Sequence, residues 1–338
     1  MIEGKIVTIG EILVEIMATT TGNGFLEPQP LIGPFPSGAP AIFIDQVGKL
    51  GHPAGIVAAV GDDDFGTLNL ERLKQDGVDV SAVAIHPGAA TGSAFVRYRP
   101  DGGRAFVYNM RDSAVGRIAA TPAAETLLAA AGHLHVMGSG LPVPAIAGMV
   151  RSTLPALKAR GGTVSFDPNI RREMLRDESG KAIFHSVLSV TDLFLPSGEE
   201  LSLFSGEADE AKAIAALLDA GVKEIVLKRG EAGASHIDSN GRTDMPGFVV
   251  AEVDPTGAGD CFGATFLVAR RLGKSVSEAL RYANAAGART VTVQGPMEGS
   301  SSFADLDRFI AQSSVRTQAD SGEAPRGFPT GISDQTRN

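Results

Sequence analysis

Asp254-Pro255-Thr256-Gly257-Ala258-Gly259-Asp260 is the stretch from which the rest of the chain is read. An apolar run at 247–253 enters it and reads as a strand, while Phe262, Phe266, Leu267 and Ala269 follow it at helical spacing to a glycine stop at Gly273. The glycines therefore sit where a helix begins. Backbone N–H groups at Gly257, Ala258 and Gly259, with the positive end of the helix dipole behind them, converge on a site suited to a phosphoryl group. Asp260 stands in the first helical turn beside that site, where a carboxylate can accept a proton from an attacking hydroxyl. An aspartate in a first turn is also an ordinary dipole partner, and glycine-rich turns are common in α/β chains. Taken alone, the segment leaves a purely structural role open.

Composition narrows the function. The chain has 338 residues, 43% of them hydrophobic, so it can bury a full core. Its net charge of −9, without a long basic run, argues against nucleic acid and anionic membrane surfaces, both of which need clustered Lys and Arg. A small-molecule partner is expected instead. Cys261 is the single cysteine, which rules out an intrachain disulfide and fits a reducing cytoplasm. It is expected to behave as a small buried hydrophobe. No signal peptide opens the sequence, and no apolar run approaches the roughly 18 residues of a membrane span.

Strand-like runs at 6–9, 54–60, 133–137, 163–167, 193–195, 224–228 and 247–253 alternate with helical patterns at 41–50, 68–75, 122–131, 145–158, 209–220 and 277–290. This alternation predicts an α/β fold with a mostly parallel sheet covered on both faces. Segments 93–99 and 104–110 break the pattern. They flank Pro100-Asp101-Gly102-Gly103 and read as a β-hairpin. Symmetric pairing puts Phe95, Arg97, Arg99, Arg104, Phe106 and Tyr108 on one face, and Ala94, Val96, Ala105 and Val107 on the other. A lone hairpin is marginal, so the extended stretch at 12–33 is expected to pair with it in a small projecting sheet. Val96 and Val107 would be exposed on such a ribbon, which predicts a homodimer. One domain is expected over 1–312, and the polar, Gly/Pro-rich tail at 313–338 is expected to be disordered.

The 254–260 stretch resembles the C-terminal signature of the ribokinase-like (PfkB) carbohydrate kinases, usually Asp-Thr-Thr-Gly-Ala-Gly-Asp, and the resemblance runs from about residue 5 to about residue 310. It implies a three-layer α/β/α sandwich with a small β-sheet lid, Asp260 as base, and the Gly257, Ala258 and Gly259 amides as the anion hole. Ser37-Gly38-Ala39-Pro40-Ala41-Ile42 resembles the family's Gly-Gly-x-x-x-Asn, in which the glycines approach the sugar and the asparagine bonds its hydroxyls. Ile42 stands in the asparagine's place, and Asp45 and Gln46, one turn on, are expected to take over the contact. The run 60–66 resembles a structural turn of the family, its three aspartates reading as helix caps rather than metal ligands.

Further motifs extend the match. Asp167-Pro168-Asn169-Ile170-Arg171 resembles the Asp-Pro-Asn-x-Arg of fructokinase-like and 2-keto-3-deoxygluconate kinase-like members. The resemblance implies that Asp167 and Asn169 lie near sugar and phosphates and that Arg171 contacts substrate, as do Tyr108 and Arg111 in the lid segment. Glu11, just past the first strand, joins this substrate-binding set. Leu195-Pro196-Ser197-Gly198-Glu199-Glu200 stands for Pro-Asn-x-x-Glu, which implies that Glu200 organises the magnesium shell through water; Ser197 replaces the asparagine on the cofactor side. Lys228, Gly230 and Gly233 match the nucleotide-side Lys-x-Gly-x-x-Gly, and Asn284 matches the asparagine at the adenine pocket. The Asp254 and Thr256 carbonyls are candidates for a potassium site. Two competing motifs fail, since Gly273-Lys274-Ser275 lacks the upstream glycine of a P-loop and no Gly-x-Gly-x-x-Gly follows the first strand.

The resemblance implies ATP- and magnesium-dependent transfer of a γ-phosphoryl group to a primary hydroxyl of a ketohexose. Tagatose is the first expectation, because Ile42 alters the hydroxyl-reading position, with fructose and 2-keto-3-deoxygluconate as alternatives. A non-catalytic sugar or nucleotide sensor is the alternative of another class; it would have no need of Asp260.

Overall fold

The computed structural model describes residues 4–22, 24–99, 104–170 and 178–316. Its strands are β1 (Lys5–Ile9), β2 (Leu13–Thr21), β3 (Leu31–Ser37), β4 (Ala54–Gly61), β5 (Val78–Asp79), β6 (Val83–His86), β7 (Gly92–Tyr98), β8 (Arg104–Asn109), β9 (Ala131–Met137), β10 (Thr163–Asp167), β11 (Leu193–Phe194), β12 (Glu224–Lys228), β13 (Ala234–Asp238) and β14 (Gly241–Met245). Its helices are α1 (Ala39–Lys49), α2 (Asp64–Gln75), α3 (Pro122–Ala129), α4 (Pro144–Ala159), α5 (Glu178–Leu188), α6 (Gly198–Ser205), α7 (Glu210–Asp219), α8 (Ala258–Arg271), α9 (Val276–Thr290) and α10 (Phe303–Gln312).

The main sheet runs β14-β13-β12-β11-β10-β9-β1-β4-β5, with β6 also on β4. Pairing is parallel from β12 across to β5 and β6, and antiparallel only at β13 and β14. The sequence explains this, because β4 is an unbroken small-and-apolar run, buried at every position, as a parallel strand covered on both faces must be. Alternate side chains then feed two cores. Val7, Ile9, Val57, Leu134 and Phe166 pack under Val150, Leu154 and Phe184 of α4 and α5. Ile6, Ile56, Ala58 and Val60 pack on the other side with Phe43 of α1, Phe266 of α8 and Leu280 of α9. Asp63 caps α2, accepting the Gly66 N–H at 2.8 Å, as the aspartate run predicts.

The small sheet has the order β3-β2-β7-β8 and joins both expected insertions, the first reaching on to Ser37. Its hairpin differs from the symmetric pairing by one residue. Ala94 faces Tyr108, Val96 faces Phe106 and Tyr98 faces Arg104. A one-residue slip exchanges faces, so Arg104, Phe106 and Tyr108 share theirs with Ala94 and Val96, while Phe95, Arg97, Ala105 and Val107 take the other. Burial selects this register: Val96 is fully enclosed and Val107 is exposed. The turn at 100–103 lies outside the described residues.

Two expectations change. The 247–253 run forms no strand; Phe248 makes a single antiparallel bridge to Val315, and Val249 and Val253 are exposed. Its end is fixed instead by the Val291 carbonyl, which accepts from the Val253 and Asp254 N–H groups at 2.7 and 3.1 Å. The start of the expected tail is also tied down, since Val249 donates to Ser314 at 2.9 Å and Arg316 to Gly247 at 2.8 Å. The tail beyond 316 lies outside the described residues. Among the described residues, no helix is long and apolar enough to cross a membrane.

Candidate active site

Because β1, β9, β10, β11 and β12 are parallel, their C-terminal ends share one edge of the sheet. At or just past those ends stand Glu11, Ser139, Asp167 with Asn169, Ser197 with Glu200, and Lys228. The N-terminus of α8 and the small sheet complete a cavity of about 580 Å³ around them. An open α/β sheet places ligands at this edge.

The signature segment forms one wall. Gly257 caps α8 at φ 82°, and a Cβ there would collide with the Pro296 carbonyl and crowd Ile42 at 3.2 Å, so only glycine fits. The Gly259 and Asp260 N–H groups in the first turn of α8 have no intrahelical acceptors, which leaves them for an anion, whereas Ala258, expected in the same anion hole, does not line the cavity and its N–H reaches the Pro255 carbonyl at 3.5 Å. Asp260, in that turn, is buried but lines the cavity, with Asn169 Nδ2 3.5 Å from its Oδ1. Burial, reinforced by Asp167, pushes its carboxyl from the ordinary 3.8 to about 8. Lys228 hydrogen-bonds Asp167 and stands near Gly259, its Nζ 3.6 Å from where a Cβ would lie. Burial disfavours its charge, yet Asp167, Glu200 and Asp260 together hold Lys228 above its ordinary value.

More carboxylates line the opposite wall. Glu11 accepts from Ser139 Oγ at 2.7 Å, and burial pushes it up to about 7. Glu15 accepts from Ser37 Oγ at 3.1 Å and is likewise pushed to about 7, by burial and then by Asp254. Burial also raises Asp167, to about 6 against the pull of Lys228. Gly38, at φ 110°, lets the chain pass against the Glu11 carbonyl. Glu200 accepts the Ser197 N–H at 2.6 Å and the Ile170 N–H at 2.8 Å, so one carboxylate ties two sheet-edge segments together. Among the described residues no group of three His, Cys, Asp or Glu forms a metal cage. The donor set is instead hard carboxylate oxygen lining a roomy cavity, which suits a magnesium ion that keeps its waters.

The structure brings most of the sequence-predicted residues together, including Tyr108 and Arg111 from the lid segment. It places others elsewhere. Asp45 and Gln46 do not line the cavity. Asp45 is buried, accepting from Ser300 Oγ at 2.6 Å beside Arg72 at 3.5 Å, and Gln46 bonds Thr265 and both the N–H and carbonyl of Ser301. The hydroxyl-reading role therefore does not move one turn along the helix; α1 turns that face to the chain segment behind the signature. Asn284 donates to the Met245 and Pro246 carbonyls at 3.1 and 3.0 Å, and Gly230 and Gly233 bound a tight turn outside the cavity. Asp254 stands behind the wall, accepting from Thr256 and Gly295. Arg171 lies outside the described residues. Sequence reading misses Glu15, Ser139 and Arg104 as cavity residues. Glu15 could have been found as the one acid in the otherwise apolar start of β2, and Ser139 by its position after β9, but Arg104 needs the hairpin register.

The description "pfkB family carbohydrate kinase" matches residues 3–302. Fructokinase-1 of Oryza sativa subsp. japonica is 30% identical over 302 residues, covering 86% of this chain and 92% of its own length. An E. coli protein described as a candidate ribokinase II is 46% identical in its ligand-free structure, with a TM-score of 0.88 over 92% of this chain and 100% of that one. Its complex with ATP and Mg²⁺ gives 45% identity and a TM-score of 0.86 over the same shares. A fructokinase double mutant from Vibrio cholerae O395, bound to fructose, ADP and potassium ion, shares the fold with a TM-score of 0.76 at 24% identity, covering 91% of this chain and 98% of that chain.

Proposed function

The chain belongs to the pfkB family of carbohydrate kinases, and on that premise we propose that this ATP-dependent sugar kinase phosphorylates a primary hydroxyl of a neutral ketohexose, with fructose the leading substrate. One observation carries the reading: Asp260 is a buried carboxylate, raised by burial to about 8, in the first turn of α8, beside a helix cap at Gly257 that only glycine can form. A preference for tagatose finds no support in the relatives, which include fructokinases, and Ile42 lies against Gly257 rather than being replaced by a polar contact nearby.

In the proposed reaction the sugar oxygen attacks the γ-phosphorus, the bond to the β-phosphate bridging oxygen breaks, and the hydroxyl proton passes to Asp260. The first-turn N–H groups and the helix dipole stabilise charge on the transferring group, and Lys228 adds a fixed cation. Glu200 would hold a magnesium ion through its water shell, and the ion, when bound, would neutralise charge on the nucleotide phosphates. Glu11, Glu15 and Asp260 offer acceptors to sugar hydroxyls, and this acid-rich lining disfavours a substrate carboxylate. Potassium at the Asp254 and Thr256 carbonyls, a cytoplasmic setting for the buried free Cys261, and a homodimer through exposed Leu31, Ile32 and Val107 of the small sheet belong to the same proposal. A coupled ADP assay over neutral ketohexoses, ribose and 2-keto-3-deoxygluconate tests it; failure of every sugar to elicit ADP overturns it.

A further inference from the structure

Arg104 is the first residue of β8, yet its guanidinium leaves the small sheet and donates to the Thr256 hydroxyl at 2.7 Å. The two residues are 152 positions apart, and Thr256 immediately precedes Gly257, the cap of the anion cradle. Thr256 is itself held, its N–H and hydroxyl both donating to Asp254 Oδ1, so the contact reaches a rigid part of the wall. The guanidinium also eases the charge on Glu15 and stands 5.7 Å from the Phe106 ring centroid.

We propose that Arg104 is a positioning residue that couples seating of the small sheet to the charge of the phosphate cradle, an inference that rests on the kinase reading above. The physical reason is the charge inventory of the cavity. Glu11, Glu15, Asp167, Glu200 and Asp260 line it, against Lys228, Arg104 and Arg111. A phosphate entering such a site meets repulsion unless cations are close, and carboxylates in a low-dielectric cavity repel strongly. Lys228 belongs to the sheet edge and is always present. Arg104 belongs to the small sheet, so its charge reaches Thr256 only while that sheet sits over the sugar. Phosphoryl transfer is then favoured when the acceptor is covered and water is excluded.

The test uses the full chain with ATP, magnesium and the best neutral sugar, comparing wild type with Arg104→Gln, Arg104→Lys and Thr256→Val. ADP and sugar phosphate are measured separately. Arg104→Gln is expected to lower kcat by roughly 10- to 100-fold, with ATP binding in the absence of sugar changed less than about twofold, as for loss of one charge-assisted contact. ADP formed per sugar phosphate should rise above the wild-type ratio, a leak that a merely structural role would not produce in a protein of unchanged Tm. Arg104→Lys should recover part of the rate, and Arg104→Gln added to Thr256→Val should cost little more than Thr256→Val alone. Wild-type kcat and wild-type coupling in Arg104→Gln overturn the inference, as does full additivity of the pair. Absence of sugar phosphate from the wild type would instead overturn the kinase reading.

Discussion

Asn169 Nδ2 and Asp260 Oδ1 stand 3.5 Å apart, joining the end of β10 to the first turn of α8. The contact orients a carboxylate that burial and Asp167 have made unusually basic, at about 8. A base performs best when its pKa lies near the working pH, so this elevation suits Asp260 to the proposed role of base. Asp260→Asn is expected to lower kcat by about 10² to 10⁴ while ATP binding persists. Steady-state kinetics with parallel nucleotide titration checks both halves, and a variant at wild-type rate removes Asp260 from the mechanism.

The same shift has opposite consequences for stability and for rate. Its folded pKa lies above the ordinary 3.8, so the folded state holds this proton more tightly than the unfolded chain. Its contribution to stability is complete below about pH 4 and is lost as pH rises through about 8, while the fraction of competent base grows over that range. Asp260→Asn should therefore raise Tm near pH 8, by a gain on the order of 0.5–2 kcal/mol, the usual scale for relieving a costly functional group. Thermal melts at pH 5 and pH 8 read this directly; a variant less stable than wild type at pH 8 contradicts it.

Gly257 offers a test of the cradle itself. Alanine there would need a left-handed backbone and would place a methyl group against the Pro296 carbonyl. Gly257→Ala should reduce kcat by about 10², the scale for losing one preorganised donor, and lower stability by about 1–3 kcal/mol. An alanine variant with normal turnover would show that the wall is looser than its geometry.

For Glu200, both carboxylate oxygens already accept backbone N–H groups. Glu200→Gln turns one acceptor into a donor facing a donor. The magnesium concentration for half-maximal rate should rise by about 10- to 100-fold, the typical cost of disturbing a group that orients a metal's surroundings. The sugar KM should move far less. An unchanged magnesium titration would confine Glu200 to capping α6.

On the small sheet, Leu31, Ile32 and Val107 remain exposed in the single chain. Light scattering at micromolar concentration should give the mass of a dimer, and Val107→Glu should shift it toward the monomer. A strictly monomeric wild type contradicts this.

The sequence is most legible where chemistry is local. Strands β10 and β12 match their predicted spans residue for residue because short β-branched runs bounded by turn residues leave little choice. The signature places Asp260 and its glycines by themselves. The hairpin faces come out reversed because loop composition cannot set register within one residue, and burial of Val96 decides it. The 247–253 run fails as a strand because hydrophobicity signals burial or pairing without saying with what, and its antiparallel pairing with the segment around Val315 amounts to a single bridge. Asp45 and Gln46 are legible as one polar helix face, but only the fold shows that Ser300 and Ser301 occupy it.

A side-by-side measurement of kcat/KM for fructose, tagatose, ribose and 2-keto-3-deoxygluconate, with sugar phosphate and ADP both quantified, tests the central claim most directly. The account predicts that fructose ranks first, that ADP and sugar phosphate form one for one, and that Asp260→Asn lowers both by about 10² to 10⁴. A highest value for 2-keto-3-deoxygluconate would contradict it, because the cavity would then be reading a carboxylate across its own acid-rich wall.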